Sequence, residues 1–167
     1  MKTTPLSSRP LLSQTNNNTT LWVGHLQQDP NDHLAGQTFE CPSAGVLNNI
    51  QVYSSAVTQE GELELSLHEF DHDHKTWGPS IGGSRLSVEK KDAAHWISFS
   101  LQPVELEKGK EYGFRLKSDN GLIGIGEAVS HAHHPFSFGQ AWSCHAASGP
   151  GSFYKYFSLA FKVELCA

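Results

Sequence analysis

Two clusters of polar side chains have the composition of metal ligands. The denser is His68-Glu69-Phe70-Asp71-His72-Asp73-His74, and the second is His131-Ala132-His133-His134. Imidazole and carboxylate groups suit zinc, nickel or copper. Alternate residues of an extended segment point the same way, so His72 with His74, or His131 with His133, could each present two ligands from one face. With His68, Asp71, Asp73 and His134 they form the candidate set, and a divalent metal ion is the candidate cofactor. The competing reading is a solvated, turn-forming loop, since Asp and His are ordinary in turns.

Aromatic rings form the second candidate set. Sugar rings present apolar C–H faces that stack on Trp or Tyr, and an all-β scaffold offers such rings on an exposed sheet face or in loops. Trp77 stands beside Gly and Pro, Trp142 precedes the 145–155 stretch, and Tyr154 and Tyr156 close it. Trp96 alternates with Ile97, so if Ile97 and Phe99 face a core, Trp96 faces outward or under a covering loop. These five are the candidate ligand-binding residues; the alternative is that their rings cap the ends of the core.

No catalytic residue is assigned. The chain lacks a phosphate-binding P-loop and a dinucleotide fingerprint. Gly124-Ile125-Gly126 reads as strand bending rather than a phosphate cradle. Cys144 and His145 are adjacent, and neighbours on a strand point to opposite faces, which disfavours a thiolate–imidazole pair. Asp71 and Asp73 would serve glycoside hydrolysis only from across a cleft, ~5 to 9.5 Å apart.

Composition narrows the partners. A net charge of -5, from 12 Lys plus Arg against 17 Asp plus Glu, provides no drive toward nucleic acid or anionic membranes. No stretch has the ~18 to 20 apolar residues needed to span a bilayer, and the first residues lack the apolar core of a secretory signal. A cytoplasmic location is the default expectation. Cys41, Cys144 and Cys166 form no CxxC group and are read as reduced thiols, with one disulfide as the alternative for an exported chain.

The elements that must position these residues are strands. Residues 1–20, rich in Ser, Thr, Asn and Pro, are expected to be a flexible arm, part of which docks. The 21–167 region is expected to be one domain. Its apolar residues recur with period two: Leu63, Leu65 and Leu67; Ile97, Phe99 and Leu101; Tyr112, Phe114 and Leu116; and Phe157, Leu159, Phe161, Val163 and Leu165. Nine to eleven strands are predicted, too many for one open sheet, so two packed antiparallel layers follow. Asp71 to Gly83, Ala128 to Phe138 and His145 to Lys155 are expected to be long loops and the natural seat of binding.

Four segments, GQTFECPSAGVLNNIQVY (36–53), HWISFSLQPVELEKGKEYGFRL (95–116), FGQAW (138–142) and YFSLAFKVEL (156–165), resemble a bacterial carbohydrate-binding-like β-sandwich, a jelly-roll module often attached to secreted or surface proteins. The matching positions are Gln37, Phe39, Pro42, Gly45, Leu47 and Ile50, then Trp96, Phe99, Pro103, Val104, Leu106, Gly109 and Tyr112, and finally Leu159, Phe161 and Val163. Phe138 and Ser158 depart from the glycine and aspartate common in such modules. The resemblance implies a non-catalytic binding module with a glycan as ligand. Two other readings accompany it: an assembly protein acting through self-association or a protein partner, and a metal-binding protein or metal-dependent enzyme.

Overall fold

Alternation along the last strand shows how the layers arise: in Phe161–Cys166, Phe161, Val163 and Leu165 are fully buried while the residues between them are half-buried. A strand of this pattern is stable only when its apolar side is covered by a second surface. The computed structural model describes residues 8–25, 32–130, 134–145 and 151–167. Among them are β1 (Ser8–Gln14), β2 (Thr19–Gly24), β3 (His33–Glu40), β4 (Gly45–Gln59), β5 (Gly61–Asp71), β6 (Thr76–Val88) and β7 (His95–Ser100). They continue with β8 (Glu105–Leu106), β9 (Glu111–Lys117), β10 (Leu122–Val129), β11 (Ala141–His145), β12 (Ser152–Tyr154), β13 (Phe157–Leu159) and β14 (Phe161–Cys166). One 3-10 turn, Lys90–Asp92, interrupts them.

All the strand pairs are antiparallel, and the hydrogen-bonded order runs β1-β14-β4-β10-β2-β3-β9-β5-β6. The long β4 joins the two layers: its 47–52 stretch pairs with β14, residues 49–54 pair with β7, and residues 54–59 pair with β10. Phe161 of β14 lies 5.7 Å from Phe114 of β9 and 6.3 Å from Phe39 of β3, ring centre to ring centre. Strands so far apart in the hydrogen-bonded order touch only if the sheet folds over itself. The protein is an all-β, antiparallel, jelly-roll-like sandwich, with Leu47, Ile50, Val52, Ile97 and Phe99 of one layer facing Leu63, Leu65, Leu67, Phe114 and Leu116 of the other.

Three expectations are refined. Of the N-terminal segment, residues 8–14 are docked as β1 against β14. The stretch from Asp71 to Gly83 is not a long loop: β5 and β6 form a hairpin closed by residues 72–75, so Trp77 sits on a strand. Fourteen strands are found among the described residues: β1 and β12 lie in stretches expected to be arm and loop, and the run from Phe157 to Leu165 divides between β13 and β14.

The interior is not wholly apolar. Gln37 is fully buried, and its Oε1 accepts the Leu159 N–H at 2.9 Å, fastening β13 to β3. Buried Gln14 donates from Nε2 to the carbonyls of Asn16 and Leu159. Glu127 is 5% exposed, and no described group pairs with its carboxylate. Tyr112 accepts the Glu107 N–H at its hydroxyl, 2.9 Å away, and so pins the turn in which Gly109 takes a φ of +83°.

Candidate functional site

The outer face of the β3-β9-β5 layer is set by register. With Tyr112, Phe114 and Leu116 facing the core, Glu111, Gly113, Arg115 and Lys117 of β9 point outward. Glu40 stands opposite Glu111, Thr38 and His68 flank Gly113, and Gly36 and Ser66 flank Arg115. Glycine at 36 and 113 leaves the centre of this face open. A Cβ at Gly113 would come within 2.6 Å of Trp77 Cζ3, and one at Gly36 within 3.1 Å of Trp142 Cε3.

An aromatic ridge fills that space. Trp77 lies edge-on to Trp142, Phe70 and His68 at 5.3, 5.2 and 5.6 Å, and Phe153 of β12 stacks beside it at 6.2 Å. Arg115 caps the ridge, its Cζ 5.2 Å from the Trp77 ring centre and 5.9 Å from that of Trp142. Trp142 is buried, and Trp77 Nε1 has no hydrogen-bond partner among the described residues.

A cleft opens on each flank of the ridge. One, of about 400 Å³, is lined by Glu40, His72, Glu111, His134, Phe138 and Gln140. Phe138 is 52% exposed and rests edge-on against Phe136, which packs at 5.2 Å on the core residue Phe161. The Glu40 N–H donates to the Phe138 carbonyl at 2.8 Å, which holds that ring beside the carboxylates. Burial pushes the Glu111 carboxyl above the ordinary glutamate range; His72, whose Nδ1 is 2.9 Å from Glu111 Oε2, pulls it back, while Glu40 adds to the rise.

The opposite flank holds a cleft of about 390 Å³ lined by Glu64, Ser66, His68, Ser80, Arg115 and Lys117. His68 is 4% exposed and its tautomer follows from its partners: Nδ1–H donates to the Gly78 carbonyl at 2.9 Å, leaving Nε2 to accept from the Ser66 hydroxyl at 2.8 Å. Burial lowers its proton affinity. A further, mainly apolar depression of about 510 Å³ lies beside Trp22, Leu34 and Leu122.

The metal candidates are dispersed. His68 spends both ring nitrogens inside the fold. His74 pairs with Asp71 at 2.9 Å in the exposed hairpin turn that also carries Asp73; the pair raises the His74 pKa, and the His74 backbone and side chain together lower that of Asp71. His134 stacks on Tyr156 at 5.3 Å and donates from Nδ1 to the Lys155 carbonyl. His131 and His133 lie outside the described residues. The structure does bring one member of each cluster, His72 and His134, to the same cleft. Among the described residues no three His, Cys, Asp or Glu side chains converge on a point that would hold a metal ion. Strand alternation is the reason: it turns His68 onto the sheet face while the hairpin carries His74 away from it.

The aromatic candidates separate as well. Trp77 and Trp142 build the ridge. Trp96 lies on the outer face of the other layer, against Tyr53 at 5.5 Å, with Lys162 Nζ 4.2 Å above its ring. Tyr154 and Tyr156 are exposed, Tyr154 packing on Phe157. Glu40, Glu111, Phe138 and Arg115 are not among the site candidates read from the sequence, where Phe138 stands only as a departure from the resembled pattern. The available signal was the outward position of Gly113 between Glu111 and Arg115, which calls for something large to lie across the strand.

No family model matches the chain, and no curated protein matches it. Among solved structures it is similar to a family 35 carbohydrate-binding module from Cellvibrio japonicus, at 15% identity over 73% of this chain and 86% of that one, with a TM-score of 0.36. A family 35 carbohydrate-binding module from Clostridium thermocellum matches at 13% identity over 72% and 86%, TM-score 0.35. The C-terminal family 6 module of a marine laminarinase from Zobellia galactanivorans matches at 20% over 72% and 91%, TM-score 0.29. Among the described residues no helix is long and apolar enough to cross a membrane.

Proposed function

We propose that the protein is a non-catalytic saccharide-binding module whose ligand lies in the cleft between Glu40, Glu111 and Phe138. The observation that carries this reading is the exposed Phe138 ring beside two carboxylates that stand directly opposite each other on neighbouring strands. Saccharide hydroxyls are donors that carboxylates accept strongly, and the C–H face of a pyranose is the apolar partner an exposed ring needs. The carboxylates stand side by side, an arrangement for gripping vicinal hydroxyls, whereas a hydrolytic pair flanks the scissile bond from two sides. Gln140 adds an amide that donates and accepts. In this reading Tyr156, stacked on His134, extends the wall of the cleft, Trp77 and Trp142 support its floor, and Trp96 and Tyr154 lie beyond it.

Retention on a panel of immobilised polysaccharides tests the proposal. Wild-type protein is expected to be retarded by at least one neutral polysaccharide, and Phe138→Ala or Glu111→Gln to abolish that retardation without moving the melting temperature. Retention that survives both substitutions, or a panel that retards nothing, overturns the assignment.

A further inference from the structure

Arg115 is an uncompensated charge in an otherwise acidic protein. The other charges near it are balanced: Glu64 accepts from Arg85 at 3.0 Å and lies 3.9 Å from Lys117 Nζ, and Arg85 also reaches Glu62 at 3.5 Å. Among the described residues no carboxylate pairs with Arg115. Its one hydrogen-bond contact is from an Nη2 to His68 Nε2, at 3.4 Å.

The guanidinium is also fixed in place. Trp77 and Trp142 hold it from the ridge side, and His68, with its tautomer set by Gly78 and Ser66, holds one nitrogen. The remaining N–H groups belong to a planar fork of five donors shaped for two oxygens at once. Ser66, Ser80, Lys117 and Glu64 line the same cleft: they add hydroxyl and ammonium groups and one carboxylate, which Arg85 holds at 3.0 Å and Lys117 faces at 3.9 Å. Burial lowers the proton affinity of Arg115, and Cys144 partly opposes that effect.

We infer that this cleft binds an oxyanion, a carboxylate or sulfate substituent, with Arg115 as its fork and Lys117 as a second cation. The site is separate from the Glu40–Glu111 cleft and does not rest on the saccharide reading. The two flanks differ in charge, so a ligand crossing the ridge would meet carboxylates on one side and a guanidinium on the other.

The test compares dextran sulfate, carboxymethyl-dextran and unmodified dextran by affinity electrophoresis of the full chain, with tryptophan emission recorded during titration. At least one charged polymer should bind where dextran does not, and should perturb the emission, because Arg115 lies over two of the four indoles. Which charged polymer binds tells sulfate from carboxylate. Arg115→Met, which keeps the stacked stem, should weaken binding at least about tenfold. Because that side chain packs on the ridge, Lys117→Gln serves as the second variant; Lys117 is half exposed, so the fold should survive and binding fall about threefold. Arg115→Lys should restore little of the loss, because an ammonium cannot bridge two oxygens. Equal binding of charged and neutral polymers, or unchanged affinity in both Arg115→Met and Lys117→Gln, overturns the inference.

Discussion

His72 Nδ1 lies 2.9 Å from Glu111 Oε2 at the mouth of the acidic cleft, on a hairpin turn that reaches across to β9. This contact opposes the effect of burial on Glu111, so the carboxylate persists to lower pH than it otherwise would. Its pKa is nevertheless raised. Saccharide retention should therefore be full at neutral pH and decline on acidification at a pH above the ordinary glutamate range. His72→Ala should shift that decline to still higher pH. Carbon-13 titration of the Glu111 carboxyl beside a retention profile checks both; a His72→Ala midpoint at or below wild type would remove the coupling.

Gly113→Ala should destabilise the protein by about 1–3 kcal/mol, the usual cost of forcing extra volume into a packed site. The added methyl would press on Trp77 at 2.6 and 3.0 Å, and the ring is held by Phe70, Trp142 and Phe153. Urea denaturation followed by tryptophan emission is the measurement. A variant as stable as wild type, with unshifted emission, would mean that Trp77 does not lie over Gly113.

Burial pushes the Glu127 carboxyl up to about 7. A glutamate raised in the folded state is stabilising relative to its ionised form at low pH, and that advantage drains away as pH climbs from the unfolded value through about 7. Glu127→Gln removes the titration while nearly preserving shape. It should raise stability by on the order of 2–3 kcal/mol at about pH 8 and change it little at about pH 4. Denaturation at the two pH values decides the matter, and a gain of equal size at both would place the effect elsewhere.

Phe161→Ala should cost about 3–5 kcal/mol, the range for deleting a buried aromatic ring. Phe161 touches Phe39 and Phe114 across the core and Phe136 beneath the exposed Phe138. The same variant should therefore loosen Phe138 and weaken saccharide retention. Comparing retention well below its melting temperature separates the two effects.

The core was legible because period-two alternation depends only on neighbouring residues: Leu63, Leu65 and Leu67, or Tyr112, Phe114 and Leu116, declare their inner face within five positions. The hairpin around Trp77 was not. Gly78, Pro79, Gly82 and Gly83 carry the signature of a loop, yet β6 lies at the end of the hydrogen-bonded order, where Pro79 sits in a register break and needs no ladder partner. The site was less legible still. Glu40 and Glu111 come from distant segments and meet only through the β3–β9 register, and the isolation of Arg115 depends on Glu64 being claimed by Arg85 and Lys117. Pairings between strands remote in sequence leave no local periodic trace.

The passage of β4 from one layer to the other has a mechanical consequence. Neither layer can peel away while that strand keeps its hydrogen bonds, so the sandwich should give way as a unit rather than leaf by leaf. Nature has supplied reporters for each side: the Tyr53–Trp96 pair senses one leaf and the Trp77–Trp142 pair the other, and their signals should vanish together at a single denaturant concentration.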